Sequence, residues 1–281
     1  MRRFHAWLIP IVLLGVATSI EHQITALPDR IGGWLSSYDR PQDRAGDGPD
    51  FSASVDLIRL NDEGRSAVTP GDFRPSAEQT RLLADPGAAA SPGFTALLRS
   101  AGAVNLETLT LRLTLTGRRA EKVNILDIQP VSVRRSDPLA GTLFDAPPQG
   151  GSDTSTVLLD LDRPFPIVRR AVFSAEDDSL KPGPPFFARQ TIVLAHREQH
   201  VVVLRATSLR YYVAFRLRVT YMVGDREKHT VIDDRGRPFQ VTGLKQDPDS
   251  YRRVFTFGKH GPSFCQSSGP DENPSLPCDE E

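Results

Sequence analysis

The chain has 281 residues, with 34 Lys+Arg against 35 Asp+Glu and a net charge of −1. That length allows one domain of about 200 residues or two small ones. The even charge excludes a dedicated nucleic-acid binder, whose affinity depends on a basic surplus.

The chain opens Met1-Arg2-Arg3-Phe4-His5, continues as an apolar run from Ala6 to Ile20, and meets Glu21. A basic head followed by an apolar segment predicts an export signal or signal anchor. A helix over Phe4–Ile20 would be about 25 Å long, at the short end of what spans a bilayer core. Ala17-Thr18-Ser19 is a poor cleavage site, so the preferred reading is an uncleaved anchor over residues 1–21. Its membrane-spanning residues include Phe4, Trp7, Ile11, Leu14 and Ile20. Cleavage would instead give an exported structural protein. Arg2 and Arg3 hold the N-terminus in the cytoplasm, which leaves the rest of the chain outside the cell membrane. The bilayer is thus the first expected partner.

Residues 22–50 read as a stalk, polar and rich in Gly, Pro and Asp after Leu35. Trp34 fits a membrane interface and an ordinary linker equally well. Residues 51–260 read as an extracytoplasmic domain. A first strand is expected at Ser54–Leu60, and short helices at Ala77–Ala84 and Phe94–Ser100, the second behind a Ser91-Pro92 start signal. Leu109, Leu111, Leu113 and Leu115 alternate with threonines and Arg112, a period of two. Val123 and Ile125 change phase to Leu126 and Ile128, which predicts a β-bulge. Pro138 to Gly151 reads as a loop. Val157, Leu159 and Leu161 form a strand. Ile192–Leu194 and Val201–Leu204 flank a hairpin-sized connection. Tyr211, Val213, Phe215, Leu217, Val219 and Tyr221 give the clearest strand, and Gly224-Asp225 and Asp233–Gly236 turn the chain. Thr230–Ile232, Phe239–Val241 and Val254–Phe257 follow as strands.

About nine strands with little helix predict a mainly β fold, an antiparallel β-sandwich with one or two short helices and the N-terminal anchor helix. Residues 261–281 read as a disordered acidic tail carrying the only two cysteines, Cys265 and Cys278. Outside the membrane these can pair, stapling a tail rather than a domain.

Catalytic signals are few. His196 and His200 bracket the expected hairpin and read as polar loop residues, not ligands; no metal or cofactor is expected. Asp160 and Asp162 share one strand face about 7 Å apart, a spacing open to acid–base work in a hydrolase or to calcium. Alternation with leucines also explains them as outward residues. Asp233-Asp234-Arg235-Gly236 reads as turn chemistry. No nucleophile elbow and no phosphate-binding glycine loop occur. The pairs Arg118-Arg119, Arg134-Arg135, Arg169-Arg170 and Arg252-Arg253 offer contacts to anionic lipid or cell-wall polymer, or a solvated surface. Lys181–Phe187 reads as the start of a strand more readily than as a docking loop.

The basic-then-apolar start, Pro138-Leu139-Ala140-Gly141-Thr142, Leu159-Asp160-Leu161-Asp162-Arg163-Pro164 and Gly236-Arg237-Pro238-Phe239 resemble uncharacterised, N-terminally anchored proteins of actinomycete type. The resemblance covers about residues 100–245 and the N-terminus. It implies topology and carries over no functional residue. The expectation is a non-enzymatic, single-pass membrane protein displaying a β-sandwich for binding or assembly with an envelope protein or polymer. A carbohydrate-active envelope hydrolase is the alternative.

Overall fold

The computed structural model describes residues 49–58, 66–146, 156–176, 178–259, 261–271 and 273–278. The expected anchor, with Phe4, Trp7, Ile11, Leu14 and Ile20, and the stalk up to residue 48 lie outside the described residues. Among the described residues no helix is long and apolar enough to cross a membrane.

Among the described residues, sixteen strands and two α-helices make a mainly β fold. In chain order they are β1 (Phe51–Ile58), β2 (Ala67–Val68), α1 (Ala77–Ala84), α2 (Pro92–Ser100), β3 (Val104–Leu106), β4 (Thr108–Gly117), β5 (Val123–Ser136) and β6 (Thr142–Asp145). Then come β7 (Val157–Asp160), β8 (Arg169–Ser174), β9 (Ser179–Pro185), β10 (Ile192–Leu194), β11 (Gln199–Thr207) and β12 (Tyr212–Val223). The last four are β13 (Arg226–Ile232), β14 (Phe239–Thr242), β15 (Arg253–Phe257) and β16 (Phe264–Ser268). The first sheet has the order β1-β4-β11-β7-β8-β9. The second runs β10-β5-β12-β14-β3-β2-β6-β15-β16, with β13 beside β12.

The sheets are mixed rather than purely antiparallel. β11 pairs with β7, β14 with β3, and β15 with β6 in parallel. Apolar faces of both sheets meet in one core, which makes the arrangement sandwich-like. Leu111, Leu113, Leu115 and Leu204 come from the first sheet, and Ile125, Phe215, Leu217 and Val219 from the second. Period-two alternation is the cause: the four leucines of β4 are buried while Arg112 between them is exposed. The predicted phase change also occurs. Pairing of β5 with β12 jumps from Asp127–Thr220 to Ile125–Tyr221, so Leu126 is the extra residue.

A second core lies under the two helices. Phe144 gathers Phe73, Phe94, Phe255 and Phe264 with ring centroids 5.6, 5.8, 5.3 and 6.2 Å away. Each helix starts where the sequence places a cap. Ser76 Oγ accepts from Gln79 N while Gln79 Oε1 accepts from Ser76 N, a reciprocal box. Ser91 Oγ accepts from Phe94 N at 3.0 Å, with Pro92 in the first turn.

Several expectations are corrected. The residues from 261 onward are not a disordered tail over their described part. Phe264–Ser268 adds to β15 as an edge strand, Phe264 and Leu276 are buried in the second core, and Cys265 and Cys278 form a disulfide with a Cα–Cα distance of 5.0 Å. The crosslink therefore closes part of the domain. The connection from β10 to β11 is no hairpin, because β10 pairs with β5 in one sheet and β11 with β4 in the other. The loop expected at 138–151 contains β6. Lys181–Pro185 lie within β9 and Phe186-Phe187 begin a short 3-10 turn; Pro182, Pro184 and Pro185 are tolerated because β9 is an edge strand.

Candidate functional site

Both ends of the fold are tied by charge, and the two ends differ in what they leave exposed. At the end where β1 begins, Asp50 is almost fully buried. Its carboxylate accepts from Arg119 Nε at 2.7 Å, Lys228 Nζ at 2.9 Å and Tyr221 Oη at 3.0 Å. The partners come from the β4–β5 turn, β13 and β12, so one carboxylate joins the two sheets. Burial works to raise its pKa, but the bonds from Lys228, Arg119 and Tyr221 outweigh it and hold the group below its ordinary value. Asp50 was counted with the stalk in the sequence; it belongs to the domain.

At the opposite end, Asp162 performs a similar task with a different outcome. It follows β7, in a turn rather than on the strand face expected for it beside Asp160. Its Oδ1 accepts from Ser208 Oγ at 2.8 Å and its Oδ2 from Leu209 N at 2.9 Å. Arg210 Nη2 donates to the Asp162 carbonyl. One side chain thus pins the β11–β12 turn to the β7–β8 turn. Asp160 Oδ1 accepts from Asp162 N and Oδ2 from Arg163 Nε, shaping the same turn. Arg135, at the end of β5, crosses between sheets to donate to the carbonyls of Leu161 and Arg163 at 3.0 and 2.7 Å.

These turns carry an unusual surface. Phe165 is 87% exposed, Ile167 39%, Leu209 60% and Leu244 44%, half of the large hydrophobics left in water among the described residues. Gly243 binds the turn, its N donating to Tyr211 O, and it packs so closely that a Cβ would lie 2.5 Å from Leu209 O. Leu244 is the next residue in the chain, so its backbone leaves from close to the Leu209 carbonyl. Pro164 and Pro166 fix the backbone on both sides of Phe165. The segments 134–137, 160–170, 208–211 and 243–245 hold seven Lys and Arg against three Asp, in a chain whose charges otherwise balance. Nearby, burial raises the pKa of Tyr212 while Arg134 pulls it partly back.

The four arginine pairs do not gather on one face. Arg119 goes to the Asp50 clamp. Arg253 is buried, with Nε 3.2 Å from Asp72 Oδ1 and Nη1 donating to the Asp271 carbonyl, and it ties the C-terminal segment to the loop before α1. Only Arg134-Arg135 and Arg169-Arg170 border the apolar end. His196 and His200 are both exposed, and no group of three or more His, Cys, Asp or Glu able to hold a metal occurs among the described residues. Asp233 accepts from Arg216 Nε and Gly236 N, so its oxygens serve the turn as read from the sequence. Comparisons with protein-family models, with curated proteins and with solved structures find no match.

Proposed function

We propose that the chain is a single-pass membrane protein, N-terminus in the cytoplasm, whose β domain stands outside as a binding or assembly module. One observation carries the binding part. Phe165, Ile167 and Leu209 are exposed on the two turns that Asp162 and Arg135 brace, and Leu244 is exposed on the segment after β14 whose Gly243 packs against the Leu209 carbonyl. Scattered exposed apolar residues need no explanation, but a braced cluster marks an interaction surface. The anchor part rests on Arg2-Arg3 and the apolar run to Ile20. Binding is favoured over hydrolysis because both oxygens of Asp162 are engaged by its own chain, and Asp160 is held by Asp162 N and Arg163.

Alkaline extraction of native membranes, with protease added outside intact protoplasts, tests the topology. The full chain should stay with the membrane after extraction and lose its β domain to external protease. Release into the alkaline wash, or protection from the protease, contradicts the reading.

A further inference from the structure

We infer that the end built by Asp162 docks on an anionic bilayer surface. Phe165, Ile167, Leu209 and Leu244 enter the headgroup layer, and the surrounding arginines face lipid phosphates. The inference rests on the anchored reading above and names the partner of that same surface.

Three features favour a lipid surface over a pocketed ligand. First, the apolar groups sit on turn tips. A ring exposed to 87% lies in no groove, and protruding apolar side chains suit insertion into an interface. Second, the charge fits. Arg134 and Arg135 have no carboxylate partner among the described residues, and Arg135 donates to the backbone carbonyls of Leu161 and Arg163. With seven Lys and Arg against three Asp, the segments around the apolar tip carry a net positive charge that anionic headgroups attract. Third, Pro164 and Pro166 hold Phe165 outward before binding, so little backbone freedom is lost on insertion.

The chain can also reach. β1 carries the polypeptide from the Asp50 end towards the Asp162 end over eight residues, about 26 Å at strand rise. Residues 22–48 extend to at most about 95 Å, several times that length. The far end of the domain can therefore return to the bilayer that holds the N-terminus.

The test uses the full chain in nanodiscs of phosphatidylcholine alone and of phosphatidylcholine mixed with phosphatidylglycerol, read by amide hydrogen exchange. In the mixed discs the amides of Phe165, Ile167, Leu209 and Leu244 should exchange on the order of tenfold more slowly than in phosphatidylcholine alone. The β8–β9 tip around Ser174 and Ser179 should not change. Phe165→Ser with Leu209→Ser, both at exposed positions, should abolish the difference and leave the rest of the exchange map intact. Equal exchange in the two lipids, or a slowing spread over the whole domain, overturns the inference. A chain that elutes apart from the discs refutes the anchor reading instead. Sedimentation of that chain with phosphatidylglycerol vesicles then decides docking by itself: binding lost in the double variant supports it, and no binding overturns it.

Discussion

Replacing Asp50 by Asn tests whether a single buried carboxylate holds the two sheets together. The wild-type group accepts three hydrogen bonds, two of them from cations, at 2.7, 2.9 and 3.0 Å. Asn keeps the shape but removes the charge and points an amide NH₂ at Arg119 or Lys228. Breaking a fully buried pair costs about 3–5 kcal/mol. Here the Arg119 and Lys228 side chains are 28% and 33% exposed and can regain water, so the cost falls to about 2–3 kcal/mol. For a domain of this size that lowers Tm by roughly 5–10 °C. Urea unfolding should show a lower midpoint at unchanged slope. The pH dependence has a definite sign. The folded pKa of Asp50 lies below its unfolded value, about 3.9. Its contribution is then complete above that value and disappears as pH falls through the folded pKa. The gap between wild type and Asp50→Asn should be constant from about pH 5 to 7 and close below about pH 4. A loss under about 0.5 kcal/mol at pH 7, the size of an exposed pair, would refute the clamp.

Three further outcomes follow from packing. Replacing Cys265 and Cys278 together by Ser removes a crosslink spanning 13 residues, costing about 3 kcal/mol on chain entropy, and thermal melts should show the same loss when the wild type is reduced. Phe144→Ala empties the centre of the second core and should cost about 3–5 kcal/mol in urea unfolding. Gly141→Ala places a Cβ 2.1 Å from Thr69 O and 2.4 Å from Gly71 O, so expression of folded protein should fall sharply, measured by soluble yield and circular dichroism.

The parts of this fold legible in the sequence are those where burial is one-sided and periodic. β4 shows its leucines inward, β12 shows Val213 to Tyr221 inward, and α2 announces itself through Ser91-Pro92. β6 hides because Thr142, Leu143 and Phe144 are all buried, and a strand covered on both faces shows no alternation. β8 and β9 hide for the opposite reason: Val172 and Phe173 are both exposed, and β9 carries three prolines. A short link between two apolar runs reads as a hairpin whether or not the runs share a sheet, so the β10–β11 crossing was invisible. The C-terminal strand rests on Phe264, Cys265 and Leu276, too few and too irregular for a periodic signal. Asp50 finds Lys228 at a separation of 178 residues, which no local pattern encodes. Asp160 and Asp162 read in the sequence as paired carboxylates on one strand face. Their actual service is to shape the turn that presents Phe165 and Leu209, whose exposure only the folded chain displays.

The most direct measurement places a photo-crosslinking residue at Phe165, Leu209 or Leu244 of the full chain in native membranes, with Ser54 on the outer face of β1 as the control. Adducts are expected at the three apolar positions and none at Ser54, with lipid-sized mass shifts when the bilayer is the partner. A protein adduct at the same three positions would keep the binding surface and remove the lipid assignment. Adducts equally frequent at Ser54, or absent from all three apolar positions, would contradict the claim that this end of the fold is where the protein binds.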